Sequence, residues 1–407
     1  MAITTAFAEF LEDFEDGKQG NAFHIPNPYT RMGAAFTLRP QMFTLVGSTS
    51  GVGKSSFIDD MFVLKPWRML VSKSDMVHWE VMYYSMERHK RLKVARWLAW
   101  LLFIDHGILI SATDLLGYGE NKISDSLYKI VKGYGDEMER LLELVTIYDG
   151  RITVSQLRDM LVEKALSLGR YFVSDSDQYW EITRTGTSVT SQLDQVKQVK
   201  RGKKLVPVKF ASFDVDGQTK TITSNSFVYV PDNPHTLVQV VLDGVGLIDT
   251  TAYGGNVKKA VDAVTNVLAD VRDRFKFSPV MVSQFNRGIA DSQRVKNQGS
   301  NQGPQESDFK DSGNTYQAAD LVIGLFDPYK HKAYDKDGFF AGYDLDRMKA
   351  PRGFSRFRSA HILKNSFGFA DLPYGLKYVG ESSYFETLPL PSDPRIYDMY
   401  AEIAAGK

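Results

Sequence analysis

The stretch "FTLVGSTSGVGKSSFIDDM", Phe43 to Met61, is the most informative in this chain. Met42 to Val46 is an apolar run suited to a short buried strand. Ser55 to Met61 opens a helix with Phe57, Ile58 and Met61 on its apolar face. Between them lie small residues, with Gly47, Gly51 and Gly53 free to take positive φ. A strand, a glycine-rich turn and a helix start together point backbone N–H groups at a phosphate. The common phosphate-loop spacing, G-x-x-x-x-G-K-[ST], would place its first glycine at position 48. Here that residue is Ser48, and the glycine stands one earlier, at Gly47. The expected nucleotide contacts are Gly47, Ser48, Thr49, Ser50, Gly51, Val52, Gly53, Lys54, Ser55 and Ser56. Lys54 would reach the β- and γ-phosphates of ATP, and the Ser55 hydroxyl would ligate Mg²⁺.

Along the rest of the chain, apolar strands alternate with helical stretches. The candidate strands are 42–47, 78–86, 144–149, 237–243, 279–284 and 320–327, and their apolar runs suit burial on both faces of a parallel sheet. Helices are predicted at about 88–104, 124–145, 153–169 and 256–275. The fold class is therefore α/β. Near the end, "RSAHILKNS" and "GLKYVGESSYFETL" read as antiparallel strands. Residues 170–234 carry strand-like pieces without a long helix signal, a β-rich insertion in the α/β core. Its "KQVKRGKK", 197–204, holds five cations and no acid, and reads either as a solvated hairpin tip or as a patch for phosphate or a partner. Ahead of the core, Phe7, Phe10, Leu11 and Phe14 mark a short amphipathic helix at 4–15, with Gly17 and Gly20 breaking the pattern.

Composition narrows the partners. The 407 residues carry 49 Lys+Arg and 49 Asp+Glu, so nucleic acid would have to be bound by local patches. There is no cysteine, which excludes disulfides and thiolate zinc sites. The N-terminus is acidic and lacks the basic start of a secretory signal. The strongest apolar run, Trp97 to Ile104, is too short to span a bilayer. A cytoplasmic protein without membrane contact is the expectation, in the host cytoplasm if phage-encoded.

A phosphate loop needs a carboxylate at the end of another buried strand to hold Mg²⁺. "LVQVVLDG" supplies Asp243. Hydrolysis also needs a base, and Glu87 in "YYSMERHKRL" stands at the end of the second strand. There it could equally be an ordinary helix-opening acid. Gln284 in "MVSQFNRG" ends a third strand and could sense the γ-phosphate. Lys54, Glu87, Asp243 and Gln284 thus fall at carboxyl ends of successive parallel strands, where such sheets bind ligands. The basic run "RHKRLKVAR", 88–96, reads as the polar face of the following helix.

These segments, in this order, resemble the RecA-like motor domain of DnaB-type replicative helicases. That family has five residues between its loop glycines, as "GSTSGVGKS" does here. "SMER" is similar to its catalytic-glutamate context, "VVLDGVGLI" to its metal-binding strand, and "SQFNR" and "SDFKDSGNTYQAADLVIGL" to the motifs that follow. The resemblance implies a RecA-like core at 21–169 and 235–390, the insertion at 170–234, an oligomer-contacting linker helix at 1–20 and a tail at 391–407. It implies Glu87 as the activator of water, Gln284 as the γ-phosphate sensor and DNA contacts from two loops, through Lys258, Lys259, Arg287, Arg294 and Lys296. It also implies a homo-oligomer, a hexamer in the family, with single-stranded DNA as partner and a primase or loader beside it. Three departures stand out. The insertion at 170–234 has no counterpart in the resemblance. No segment here corresponds to the family's N-terminal collar, so a phage-like single-module version is expected. The family's late Lys-x-Arg pair, which reaches a neighbour's ATP, is Lys364 followed by Ser366, with Arg352, Arg356 and Arg358 as candidates to replace the arginine. The implied function is ATP-driven translocation on single-stranded DNA, helicase-like. The alternatives are a RecA-family ATPase without unwinding, recombinase-like or a loading factor, and a nucleotide-dependent scaffold.

Overall fold

The structure is a computed structural model. It describes residues 10–11, 14–15, 17–19, 23–70, 78–119, 123–183, 186–193, 195–201, 204–215, 218–290, 302–351, 353–370 and 373–406. In chain order the strands are β1 (Thr44–Ser48), β2 (His78–Ser85), β3 (Val145–Asp149), β4 (Gly169–Asp175), β5 (Gln178–Thr183), β6 (Gly186–Gln192), β7 (Gln195–Arg201), β8 (Lys204–Val215), β9 (Gln218–Thr223), β10 (Phe227–Pro231), β11 (Thr236–Asp243), β12 (Ser278–Gln284), β13 (Leu321–Phe326), β14 (Phe339–Phe340), β15 (Tyr343–Asp344), β16 (Phe357–Asn365), β17 (Pro373–Val379) and β18 (Tyr384–Thr387).

Nine of these form one sheet in the order β18-β17-β16-β13-β1-β12-β11-β2-β3. From β13 to β3 every pairing is parallel. β16, β17 and β18 extend the other edge antiparallel. All six predicted strands are present. Their apolar runs are continuous because both sheet faces are covered. In β11, Val238, Val240 and Leu242 enter one core while Leu237 and Val241 enter the other. The helices Val154–Leu168 and Val257–Phe275 cover the first face. The helix that starts at Lys54, together with Lys90–His106 and Gly135–Leu144, covers the second.

The structure departs from local expectation in four places. The helix predicted at 124–145 is two helices, Asp125–Gly133 and Gly135–Leu144, joined at Tyr134. The helix after the phosphate loop passes through a π-turn, Asp60–Leu64, before continuing as Lys65–Leu70. Pro66 lacks an N–H and its ring crowds the carbonyl four residues back, and the wider turn accommodates it. Residues 17–19, where Gly17 is expected to break the helical pattern, are helical, while most of the helix expected at 4–15 lies outside the described residues. The expected tail contains the helix Ile396–Ala404, whose Ile396, Tyr400 and Ile403 lie in the first core.

The insertion is β-rich as expected. β10-β4-β5-β6 form a four-stranded sheet and β7-β8-β9 a three-stranded one, around Phe172, Tyr179, Leu193, Ala211 and Ile222. The basic stretch 197–204 closes the β7–β8 hairpin, with Arg201 paired to Lys204. The insertion is seated on the core: Tyr171 and Tyr229 pack edge-on against Phe275 at 4.9 and 5.4 Å, and the Tyr229 hydroxyl donates to the Ala165 carbonyl at 2.9 Å. Among the described residues no helix is long and apolar enough to cross a membrane.

Candidate active site

The carboxyl ends of the parallel strands bring the predicted residues together. Register pairs Ser48 with Gln284 across β1 and β12, and Asp243 with Ser85 across β11 and β2. Beyond Ser48 the loop turns through Gly51 (φ 75°) and Gly53 (φ 106°) into the helix at Lys54. Gly47 does something else. It lies in β1, and a Cβ there would sit 2.3 Å from the Phe309 ring and 2.4 Å from that of Phe285. The early glycine therefore answers a packing demand, not a demand for positive φ, and this gives the unusual spacing a structural role.

Ser55 Oγ donates to Asp243 Oδ1 at 3.1 Å. A hydroxyl and a carboxylate so placed suit Mg²⁺, which keeps several waters and completes its shell with phosphate oxygens. No group of three or more His, Asp or Glu side chains converges as a metal site among the described residues. Glu87, exposed, stands against the turn after β11: a Cβ on Gly244 would lie 2.6 Å from Glu87 Cγ, and Met86 N–H donates to the Asp243 carbonyl at 3.0 Å. Burial lowers the pKa of Lys54, and the nearby charges of Glu87 and Asp243 oppose that shift. A bound phosphate would add to their effect, because an opposite charge favours the ammonium form.

Behind the site is a buried polar network. Lys93 Nζ lies 3.2 Å from both Asp59 oxygens, 2.8 Å from the Tyr83 hydroxyl and 3.5 Å from Asp243 Oδ2. Tyr83 also donates to Asp59 at 2.7 Å. Asp59 and Lys93 have no exposed surface. Burial raises the pKa of Asp59, and Lys93 opposes that shift. This corrects the reading of 88–96 as a polar face. The pattern itself carries the signal, because Lys93 precedes Trp97 by four residues and Trp100 by seven, on the buried stripe of its helix.

The outer wall of the loop comes from residues that sequence reasoning did not assign to it. Thr49 Oγ1 meets His331 Nε2 at 3.0 Å. Lys330 Nζ donates to the Ser50 carbonyl. Arg358 Nε donates to the Val52 carbonyl at 2.9 Å and pairs with Asp327 at 3.0 Å. A Cβ on Gly53 would touch Tyr378 at 2.9 Å. Of the candidates to replace the arginine, Arg358 is thus a buried buttress of its own loop. Arg356 is buried and paired with Glu381. Neither is free to reach a neighbour in this arrangement, and Arg352 lies outside the described residues. Lys364 donates to the carbonyls of Tyr316 (3.2 Å) and Gln317 (2.8 Å), closing the end of the helix Gly313–Ala318.

The expected DNA contacts are only partly described. Lys258 and Lys259 are exposed in the first turn of the helix Val257–Phe275. Arg287 opens the turn Arg287–Ala290, directly after the strand that ends in Gln284. Arg294 and Lys296 lie outside the described residues. The base of this loop is tied together, since buried Gln302 donates to the Ile289 carbonyl at 2.6 Å.

With this geometry, the similarity to solved structures can be placed. The ATPase domain of G40P superposes with a TM-score of 0.57 at 13% identity, covering 94% of this chain and 98% of that one. A DnaB-like replicative helicase, solved for its interactions with primase, superposes with a TM-score of 0.58 at 14% identity, covering 95% of this chain and 69% of that one. The chain has the DnaB-type, RecA-like fold. No protein-family model matches the sequence, and no curated protein matches it. At such identities the likeness concerns the fold.

Proposed function

We propose that this chain is an ATP-hydrolysing motor that moves on single-stranded DNA as a homo-oligomeric ring, hexameric like the family it resembles. The observation that carries the reading is the Ser55–Asp243 contact of 3.1 Å beside Lys54 and Glu87 at one end of a parallel sheet. Lys54 binds the β- and γ-phosphates, and Ser55 with Asp243 holds the metal. Bound Mg²⁺ supplies neutralisation of charge on the phosphate oxygens. Glu87 takes the proton of the attacking water. Gln284 reads the γ-phosphate and passes its loss to the loop that starts at Arg287. Lys258 and Lys259 lie at a helix N-terminus, where the dipole disfavours cations and a nucleic-acid phosphate would relieve that cost. A primase or loader is a further partner to test by co-sedimentation.

Lys54→Ala should abolish hydrolysis, and Glu87→Gln should bind ATP without turning it over. Near wild-type turnover by Glu87→Gln would remove Glu87 from its role. A second reading, a RecA-family ATPase that does not unwind, is favoured by Ser366 and by the internal engagement of Arg356 and Arg358. Hydrolysis stimulated by single-stranded DNA, with strand displacement, selects the motor. Stimulated hydrolysis without displacement selects the second reading.

A further inference from the structure

Lys330 lies outside every motif read from the sequence, yet it reaches the phosphate loop. β13 is the direct parallel neighbour of β1, so the turn that leaves its carboxyl end, 327–331, rises beside the loop. That turn is rigidly built. Asp327, buried, accepts the Lys330 backbone N–H at 3.0 Å and pairs with Arg358 at 3.0 Å. His331 stacks on Phe326 at 5.1 Å and holds Thr49. The Lys330 ammonium is thereby aimed at the crest of the loop. It donates to the Ser50 carbonyl, and a Cβ on Gly51 would lie 3.5 Å from it.

Two ammonium groups are thus brought to one small loop, and Lys330 disfavours the charged form of Lys54, against the larger opposing effect of Glu87 and Asp243. The acid nearest in sequence, Asp327, gives its side-chain charge to Arg358. Placing like charges together costs free energy unless an anion arrives between them. A polyphosphate carries that charge, and to the hydrogen bond an ammonium already makes with a carbonyl a phosphate oxygen adds the attraction of opposite charges.

We propose that Lys330 is a phosphate-binding residue of its own subunit's nucleotide site, leaving the Ser50 carbonyl for a terminal phosphate oxygen and supplying from within the subunit the positive charge that Ser366 does not supply from a neighbour. The inference rests on the reading of the site as ATP-hydrolysing. Lys330 exchanges no proton. It binds the charge spread over the oxygens of the transferring phosphoryl group while water bonds to the phosphorus and the electron pair of the breaking bond passes to the leaving oxygen.

The test separates charge from scaffolding. Lys330→Gln can still donate to the Ser50 carbonyl but carries no charge, and Lys330→Arg keeps the charge. Turnover should fall by about 10- to 100-fold in Lys330→Gln, the worth of one charge-assisted hydrogen bond, and Lys330→Arg should retain most of it. Affinity for ADP with fluoroaluminate should fall by a similar factor in Lys330→Gln, with affinity for ADP alone changed less. Turnover and fluoroaluminate affinity within about twofold of wild type in Lys330→Gln would overturn the proposal. Lys54→Ala subunits mixed with Lys330→Gln subunits should show no rescue despite proven co-assembly, because every site then lacks one lysine. Rescue would place Lys330 across the interface and overturn the assignment to its own subunit. A wild-type protein that binds ATP but never hydrolyses it would refute the reading on which the inference rests, whatever the variants do.

Discussion

At the scale of single residues, the buried charge behind the proposed metal site is the feature with the largest stake in stability. Lys93 stands between Asp59 and Asp243, all three withdrawn from water. Removing one partner of such a group leaves uncompensated buried charge, at a cost of about 3–5 kcal/mol. Lys93→Met should therefore lower urea stability by that order. Adding Asp59→Asn should recover part of the loss, since it removes one of the stranded carboxylates. If Lys93→Met cost under about 1 kcal/mol, the network would have to be paired otherwise than described. Gly47 teaches a related lesson. Its neighbours Phe285 and Phe309 come from two other segments, so the spacing of the loop is set by rings far away in the chain.

At the scale of elements, two apolar surfaces bear on the proposed oligomer. Phe10 and Phe14 of the N-terminal helix are 54% and 60% exposed and stack on each other at 6.0 Å. Elsewhere on the molecule, Val94, Leu98, Tyr128 and Leu142 line an apolar groove of about 720 Å³ with Lys90 and Arg91 also lining it. The sequence from 9 to 16 holds five acids, Glu9, Glu12, Asp13, Glu15 and Asp16, a charge opposite to that of Lys90 and Arg91, and docking of this segment on a neighbouring copy is the proposal to test. Deleting residues 1–20 should reduce oligomer size in sedimentation with an ATP analogue while leaving the core folded. Oligomers of unchanged size would mean the helix serves its own subunit. The proposed DNA loops allow a separate prediction. Replacing Lys258, Lys259, Arg294 and Lys296 together should flatten the dependence of log affinity on log salt by up to about four units, one for each phosphate no longer neutralised. An unchanged slope would direct attention to the β7–β8 hairpin and its basic tip.

At the scale of the whole molecule, stability should depend on a histidine far from the chemistry. His361 on β16 is half-buried, bonds Ser359 at 2.9 Å and has its pKa lowered by desolvation to about 4, against an unfolded value of about 6.5. The unfolded chain thus takes up a proton that the folded chain refuses. The neutral imidazole costs nothing above about pH 6.5. As pH falls from there through about 4, folding loses about 3 kcal/mol. His361→Gln should flatten this acid limb in denaturant titrations at successive pH values. A wild-type limb as flat as the variant's would show that other groups dominate. The same region packs against the segment that follows the proposed DNA loop, since a Cβ on Gly303 would lie 2.8 Å from His361.

The strands, their burial and the ends that carry Lys54, Glu87, Asp243 and Gln284 were legible in the order of amino acids. The reason is local: a strand buried on both faces must be apolar throughout, and a phosphate loop must be small and glycine-rich wherever it occurs. Which cations lie beside the phosphate loop is decided only by the packed sheet. Arg358 reads in sequence as a candidate to reach a neighbour and proves to be a buttress of Val52. Lys93 reads as surface and proves to be core. Lys330 carries no motif, and only the adjacency of β13 to β1 brings it to Ser50. A long, flexible cationic side chain is compatible with almost any local pattern, so its partner is chosen by the strand order that packs the sheet and not by the residues beside it.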